Sequence, residues 1–171
     1  MTTWASYNRR VAGLPSKTAL KEELLRLLED ELSALERAQR ETAKAATHEE
    51  AKPENDKDTR ALEQSYLARG QAARVEDLRT GFAETQNLPT RAFSGGQPAA
   101  LGALITAEEG DQTHVYFLAG AGGGLRLGGG AVQVVTTKSP LGRALLGKRE
   151  GDDVEVPLAG KIRELSLLTV E

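Results

Sequence analysis

Between Glu49 and Asp58 the sequence places five carboxylates in ten residues: Glu49, Glu50, Glu54, Asp56 and Asp58. Carboxylate oxygens are hard ligands, so such a cluster can complete the coordination of a cation such as Mg2+ or take a proton from a water. The segment lacks the central Gly and closing Glu of a calcium loop, so the ion would have to be held elsewhere and the carboxylates carried to it. The same charges also suit a plainer task, with Asp58 capping a following helix and Glu54 to Asp56 lying near its positive N-terminus. Arg37, Arg40 and Lys44 fall at i, i+3 and i+7, one face of a helix just before this cluster. That stripe suits the phosphates of a single nucleic-acid strand, or else a solvated face paired with Glu36 and Glu41.

Other chemistries find little support. There is no Cys, which excludes disulfides, thiolate metal sites and a cysteine nucleophile. His48 and His114 are isolated in sequence, and no Ser-His-Asp arrangement can be drawn. Gly120 to Gly124 is not followed by Lys-Ser or Lys-Thr, so it reads as a hairpin turn rather than a phosphate loop. Arg143 and Lys148 flank a short helical run, where they face either an acidic partner or solvent.

The elements that must position these residues divide the 171-residue chain in two. Of 18 glycines only Gly13, Gly70 and Gly81 precede residue 90, and Thr18 to Ala46 contains neither Gly nor Pro. After Pro15 and a Ser16 N-cap, Leu24, Leu28, Leu32, Leu35, Ala38, Thr42 and Ala45 form a narrow helical seam. A second seam of small residues, Ala61, Ser65, Ala68, Ala72 and Val75, runs through a helix expected from Thr59 to Glu84. With only Thr47 to Asp58 between them, the two arms are expected to fold back as an antiparallel hairpin over residues 17–87, roughly 40 Å long. Residues 1–16 form a separate N-terminal segment, and the Pro- and Gly-containing stretch 88–98 is expected to be a linker.

Residues 99–171 change period. Strands are expected at Ala99 to Thr106, Thr113 to Leu118, Gly124 to Leu127, Ala131 to Thr137, Asp153 to Leu158 and Ile162 to Val170. One short helix, Leu141 to Leu146, follows Ser139-Pro140 and stops at Gly147. The fold class is therefore α+β: a helical hairpin followed by a small antiparallel β-sheet domain. A net charge of -3 and a pI near 5.6 argue against a whole-chain nucleic-acid binder. No run of about 18 apolar residues exists to span a bilayer, and Met1 to Arg10 lacks a signal-peptide core, so the expected location is the cytoplasm without membrane attachment.

Two segments carry a family resemblance. Ser139-Pro140-Leu141-Gly142-Arg143-Ala144-Leu145-Leu146-Gly147-Lys148, followed by Glu150-Gly151-Asp152-Asp153-Val154-Glu155-Val156, closely resembles the C-terminal signature of the Gre transcript-cleavage factors of bacterial RNA polymerase. Tyr116 to Leu125 and the hairpin segment from Thr47 through Ala68 look like a divergent Gre-related subgroup. The resemblance implies a sheet domain of the FK506-binding-protein type docked at the rim of the polymerase secondary channel, with Ser139, Pro140, Arg143 and Lys148 facing the polymerase. It implies a monomer whose hairpin enters the channel beside the nascent RNA 3′ end, with Arg37, Arg40 and Lys44 against the RNA. The chain would then be no enzyme itself: its tip carboxylates would help hold a polymerase Mg2+ and orient a water, so that the polymerase cleaves backtracked RNA.

Matching Glu54-Asn55 to the family's Glu-Asn places Glu50 near the family's Asp. That makes Glu50 and Glu54 the best catalytic carboxylates and metal ligands, with Asp56 next. Anchoring on the downstream helix instead puts Glu54 at the Asp and Lys57 at the Glu, which removes one ligand and implies a regulator that occupies the channel without cleavage. A peptidyl-prolyl isomerase is the rival from another class, with only Phe93, Tyr116 and Phe117 to line a proline pocket.

Overall fold

A computed structural model describes residues 13–49, 57–93, 95–158 and 160–171. Helix α1 spans Lys17–Glu49 and α2 spans Lys57–Gln86. The expected cap is present: Ser16 Oγ accepts a hydrogen bond from the Ala19 N–H at 3.2 Å. The far end of the pair is closed by a lysine. Lys21 Nζ donates to Gln86 O, the last carbonyl of α2, at 2.7 Å and to Leu88 O just beyond the helix at 3.0 Å, placing a cation at the negative end of α2.

The seam between the arms is graded rather than uniform. Leu24 and Leu28 are fully buried, and so is Leu20, but all three belong to a cluster that includes Phe117, Leu127, Val132 and Val134 of the sheet. Further out Leu32 and Leu35 are half-buried and Ala38 and Thr42 are exposed. On α2, Val75 is buried while Ala68 and Ala72 are exposed; the side chains of Ala45, Ala61 and Ser65 lie outside those described. The cause is the seam's composition, since alanines offer a leucine row little surface to cover. Two ion pairs bridge the arms instead, Arg74 to Glu31 at 3.0 Å and Arg79 to Glu36 at 2.7 Å. In antiparallel arms these pairs lean in opposite directions along the axis, so together they resist sliding either way.

The sheet holds strands β1 Leu104–Glu109, β2 Gln112–Ala119, β3 Arg126–Leu127, β4 Val132–Thr136, β5 Asp153–Leu158 and β6 Lys161–Val170 in the order β3-β4-β2-β1-β6-β5. The expectation of a purely antiparallel sheet needs correcting: β2 and β4 pair in parallel, Tyr116 opposite Gln133 through Ala119 opposite Thr136. Nor is Gly120 to Gly124 a hairpin turn. It carries the chain past the position of β4 to the edge strand β3, and the Gly128-Gly129-Gly130 turn, at φ of 58°, 66° and 96°, brings β4 back into the gap. The first strand starts later than expected because Gly102, at φ 87°, lies where any Cβ would meet the Pro89 carbonyl oxygen at 2.4 Å. The short helix α3 spans Pro140–Leu145.

Alternation along β2 distributes its side chains to two cores. Tyr116 and Leu118 join Ile105, Leu145, Val154 and Leu165 on the face covered by α3, whereas Phe117 and Ala119 join Leu20, Leu24 and Leu28 on the face covered by α1. With both faces covered, Val115 to Ala119 is a continuous buried run. The Gly-rich loop after β2 is wedged against both helices: a Cβ on Gly81 of α2 would lie 2.3 Å from the Ala121 Cβ, and one on Gly122 would lie 2.6 Å from Leu24. The root of the hairpin and the sheet are therefore built around a shared core.

Candidate functional site

The arm comes first. At 33 residues and 1.5 Å per residue, α1 is about 50 Å long, longer than the 40 Å expected from sequence. Its inner third is fixed in the shared core, and the rest projects from it. Arg37, Arg40 and Lys44 are exposed on α1. Glu36, one of the two acids expected to neutralise this stripe, instead accepts a hydrogen bond from Arg79 of the other arm. That bond raises the Arg79 guanidinium further above its ordinary range. Glu50, Glu54 and Asp56 lie outside the described residues, as does the side chain of His48. Among the described residues, no group of three or more His, Asp or Glu converges as a metal site.

The second part is the α3 region, and it separates scaffold from surface. Ser139 caps α3: its Oγ accepts the Gly142 N–H at 3.0 Å and donates to the Thr136 carbonyl at 2.8 Å. Pro140 fills the first helical position, where its missing N–H costs nothing. Gly142 is obligatory, because a Cβ there would fall 1.9 Å from Thr136 O. Leu145 is fully buried, Gly147 closes the helix at φ 79°, and the Gly147 N–H donates to Ala99 O while the Ala99 N–H donates to Lys148 O, both at 2.7 Å. Of the expected docking residues, Ser139 and the Lys148 backbone thus hold the fold, with both residues half-buried. Pro140 and Arg143 are exposed, with Arg143 Nη1 donating to the Lys138 carbonyl at 2.9 Å. Leu146 was not singled out from sequence and is 45% exposed beside them. The available signal was the Leu145-Leu146 pair, in which a short helix can bury only one.

Between α3 and the sheet runs a groove lined by Thr136, Pro140, Leu141, Val156 and Arg163. Sequence reasoning missed Arg163, although its i, i+2, i+4 relation to Leu165 and Leu167 places it on their inner face. Its Nε donates to Glu109 Oε1 at 2.8 Å and its Nη2 to Glu109 Oε2. The Arg163 hydrogen bond holds the Glu109 carboxyl below its ordinary range, and Glu109 in turn raises the guanidinium. His114 Nε2 lies 3.5 Å from the same carboxylate, and its ring stacks on Tyr116 at 5.9 Å. Burial raises the Tyr116 phenol.

The aromatics an isomerase would need are scattered. Tyr116 and Phe117 point into opposite cores, and Phe93 sits under Lys17, whose Nζ is 4.5 Å from the ring centroid. Burial lowers the Lys17 amine. No helix among the described residues is long and apolar enough to cross a membrane.

A long two-helix arm rooted in a mixed six-stranded sheet, with a glycine-shaped helix at the sheet's surface, defines the architecture. Residues 124–171 match the family model for the C-terminal domain of the transcription elongation factors GreA/GreB. Transcription elongation factor GreA of Polaromonas naphthalenivorans is 28% identical over 100 residues, which take in 57% of this chain and 60% of that protein's length. Among solved structures, the GreA factor homolog 1 (Gfh1) protein of Thermus thermophilus aligns at 21% identity over 90% of this chain and 95% of that one, with a TM-score of 0.38. The elongation factor GreA/GreB from Nitrosomonas europaea aligns at 16% identity over 64% and 92%, with a TM-score of 0.35. Over residues 124–171 the chain is therefore similar to the C-terminal domain of the Gre-type transcription elongation factors.

Proposed function

We propose that this chain binds bacterial RNA polymerase through its sheet domain and inserts the hairpin into the secondary channel, where it stimulates the polymerase to cleave backtracked RNA. The observation that carries the reading is the arm: about 50 Å of helix fixed at its root by the shared core, with the acidic segment Glu49 to Asp58 at the opposite end. Glu50 and Glu54 are the residues that would hold a Mg2+ shared with the polymerase, with Asp56 next. The ion, when bound, would polarise the scissile phosphate and lower the pKa of a water. The carboxylates would complete its coordination and accept the water's proton. Arg37, Arg40 and Lys44 would lie along the extruded strand, and their exposure on one helix face supports that role. Pro140, Arg143 and Leu146 offer the polymerase an apolar and cationic contact on a rigid helix, with Lys148 at its end.

A regulator that occupies the channel without cleavage is the second reading. It is favoured by Lys57, the first residue of α2, which takes the place of one carboxylate in the registration anchored on that helix. Stalled backtracked complexes with labelled RNA, Mg2+ and purified protein separate the two. Accelerated 3′-proximal cleavage that is lost in Glu50→Ala with Glu54→Ala supports stimulation. Tight binding with slowed elongation and no cleavage supports the regulator, and no binding to polymerase excludes both.

A further inference from the structure

The outer arm has two outward faces of different chemistry. Glu31 and Glu36 reach Arg74 and Arg79, and so fix the side of α1 that meets α2. Arg37, Arg40 and Lys44 lie roughly 110–170° round the helix from the bisector of those two acids, on the outer side of α1. On α2 the buried Val75 marks the side that meets α1. Tyr66 stands about two and a half turns before it and therefore points away from α1. Tyr66 is 69% exposed and Leu67 beside it 60%, the one adjacent pair among the large apolar side chains exposed in the described residues. The mean register of the two ion pairs sets Tyr66 level with Lys44, about 14 Å along α2 from Lys57. Gly70 and Ala73, one and two turns on, share the face of Tyr66, and neither has a side chain long enough to cover the ring. The basic stripe and Tyr66 thus lie back to back across the arm.

Resting on the channel reading above, we propose that Tyr66 and Leu67 dock on an apolar patch of the polymerase channel wall while the opposite face of the arm holds the RNA. Area decides against a second copy of the chain. The pair offers on the order of 300 Å² of surface, well short of the roughly 800 Å² per partner of a self-sufficient interface. That area is enough for a partner already bound elsewhere, because a tethered contact forms at high effective concentration, and the sheet domain would supply the tether. Charge decides against a nucleic-acid strand on this side. Asp77, three turns from Tyr66, places a carboxylate on the same exposed face, and the three cations of the stripe are on the other. An aromatic beside an aliphatic side chain is the pair an apolar protein patch takes up well. The contact fixes the rotation of the arm about its own axis, so that Arg37, Arg40 and Lys44 face the strand.

The test uses the full-length protein and core RNA polymerase free of nucleic acid. Both positions are exposed and Ala is the best helix former, so Tyr66→Ala with Leu67→Ala is expected to leave circular dichroism and the denaturation midpoint unchanged. Binding to polymerase is expected to weaken about ten-fold, mainly through faster dissociation. Tyr66→Phe keeps the ring and is expected to bind as the unmodified chain does. Tyr66→Gln with Leu67→Gln provides the same reading should the first pair lower helicity. Equal affinity of the double variants and the unmodified chain overturns the inference and leaves the channel reading standing, whereas an unmodified chain that does not bind polymerase overturns both. A loss confined to complexes that contain RNA assigns Tyr66 to base stacking and also overturns it. So does self-association in sedimentation that the double variants abolish.

Discussion

The inner and outer parts of the hairpin are made from the same kind of sequence and held by different forces. Near the root, Leu20, Leu24 and Leu28 are at most 1% exposed and pack into the sheet. Farther out, Leu32 and Leu35 are half-covered, the alanines opposite are exposed, and ion pairs between Glu31, Glu36, Arg74 and Arg79 span the arms. Burial of a leucine contributes about 2 kcal/mol, whereas an exposed ion pair contributes little and is screened by salt. The arm's direction is thus set where it meets the sheet. Its outer part keeps its shape through helix continuity and leaves its surface polar for whatever it meets.

Substitutions at the root and the sheet surface are expected to have the largest effect. Gly142→Ala forces a Cβ against the Thr136 carbonyl and should cost several kcal/mol or prevent folding of the α3 region, read from a denaturation midpoint. Leu24→Ala should cost about 2–5 kcal/mol by chemical denaturation, and Leu35→Ala clearly less, because only the first leaves a closed cavity. Equal losses at the two positions would erase the distinction between root and outer arm. Gly81→Ala sharpens it by sign. In an open helix the change would stabilise by up to about 1 kcal/mol, but here the new methyl meets Ala121, so a net loss is expected. Arg79→Ala, at the outer ion pairs, should leave the midpoint nearly unchanged at physiological salt.

Acid titration addresses the sheet. Glu109 has a folded pKa below its ordinary 4.5, so its contribution is present above that value and is lost as pH falls through the lowered one. Glu109→Gln should therefore flatten this part of the acid limb of stability and leave the neutral-to-alkaline slope unchanged, as measured by urea midpoints against pH.

The two-helix arm, the six strands and the short helix were all legible because each depends on local signals: seam spacing, alternation, a Ser-Pro entry and glycine stops. The parallel β2–β4 pair was not, because register between distant strands is decided by the crossover through Gly120 to Leu125 and by what it packs against. The shared core was hidden for a similar reason. The spacing of Leu24 and Leu28 gives a face but not its partner, and the sheet competes with α2 for it. At the short helix α3, the signature residues were visible as a group. Only the structure separates Ser139, Gly142 and Leu145, which build it, from Pro140, Arg143 and Leu146, which it presents.

The central claim, that the arm carries its acidic end to the reacting RNA, can be tested with one label. The chain has no Cys, so Ala51→Cys takes a tethered iron chelate at a single place, and a matched label at the exposed Ser166 of β6 serves as control. In a backtracked polymerase complex, hydroxyl radicals from position 51 are predicted to cut the RNA next to its 3′ end, and those from position 166 to leave it intact. A bound factor labelled at position 51 that leaves the RNA 3′ end uncut would contradict the account.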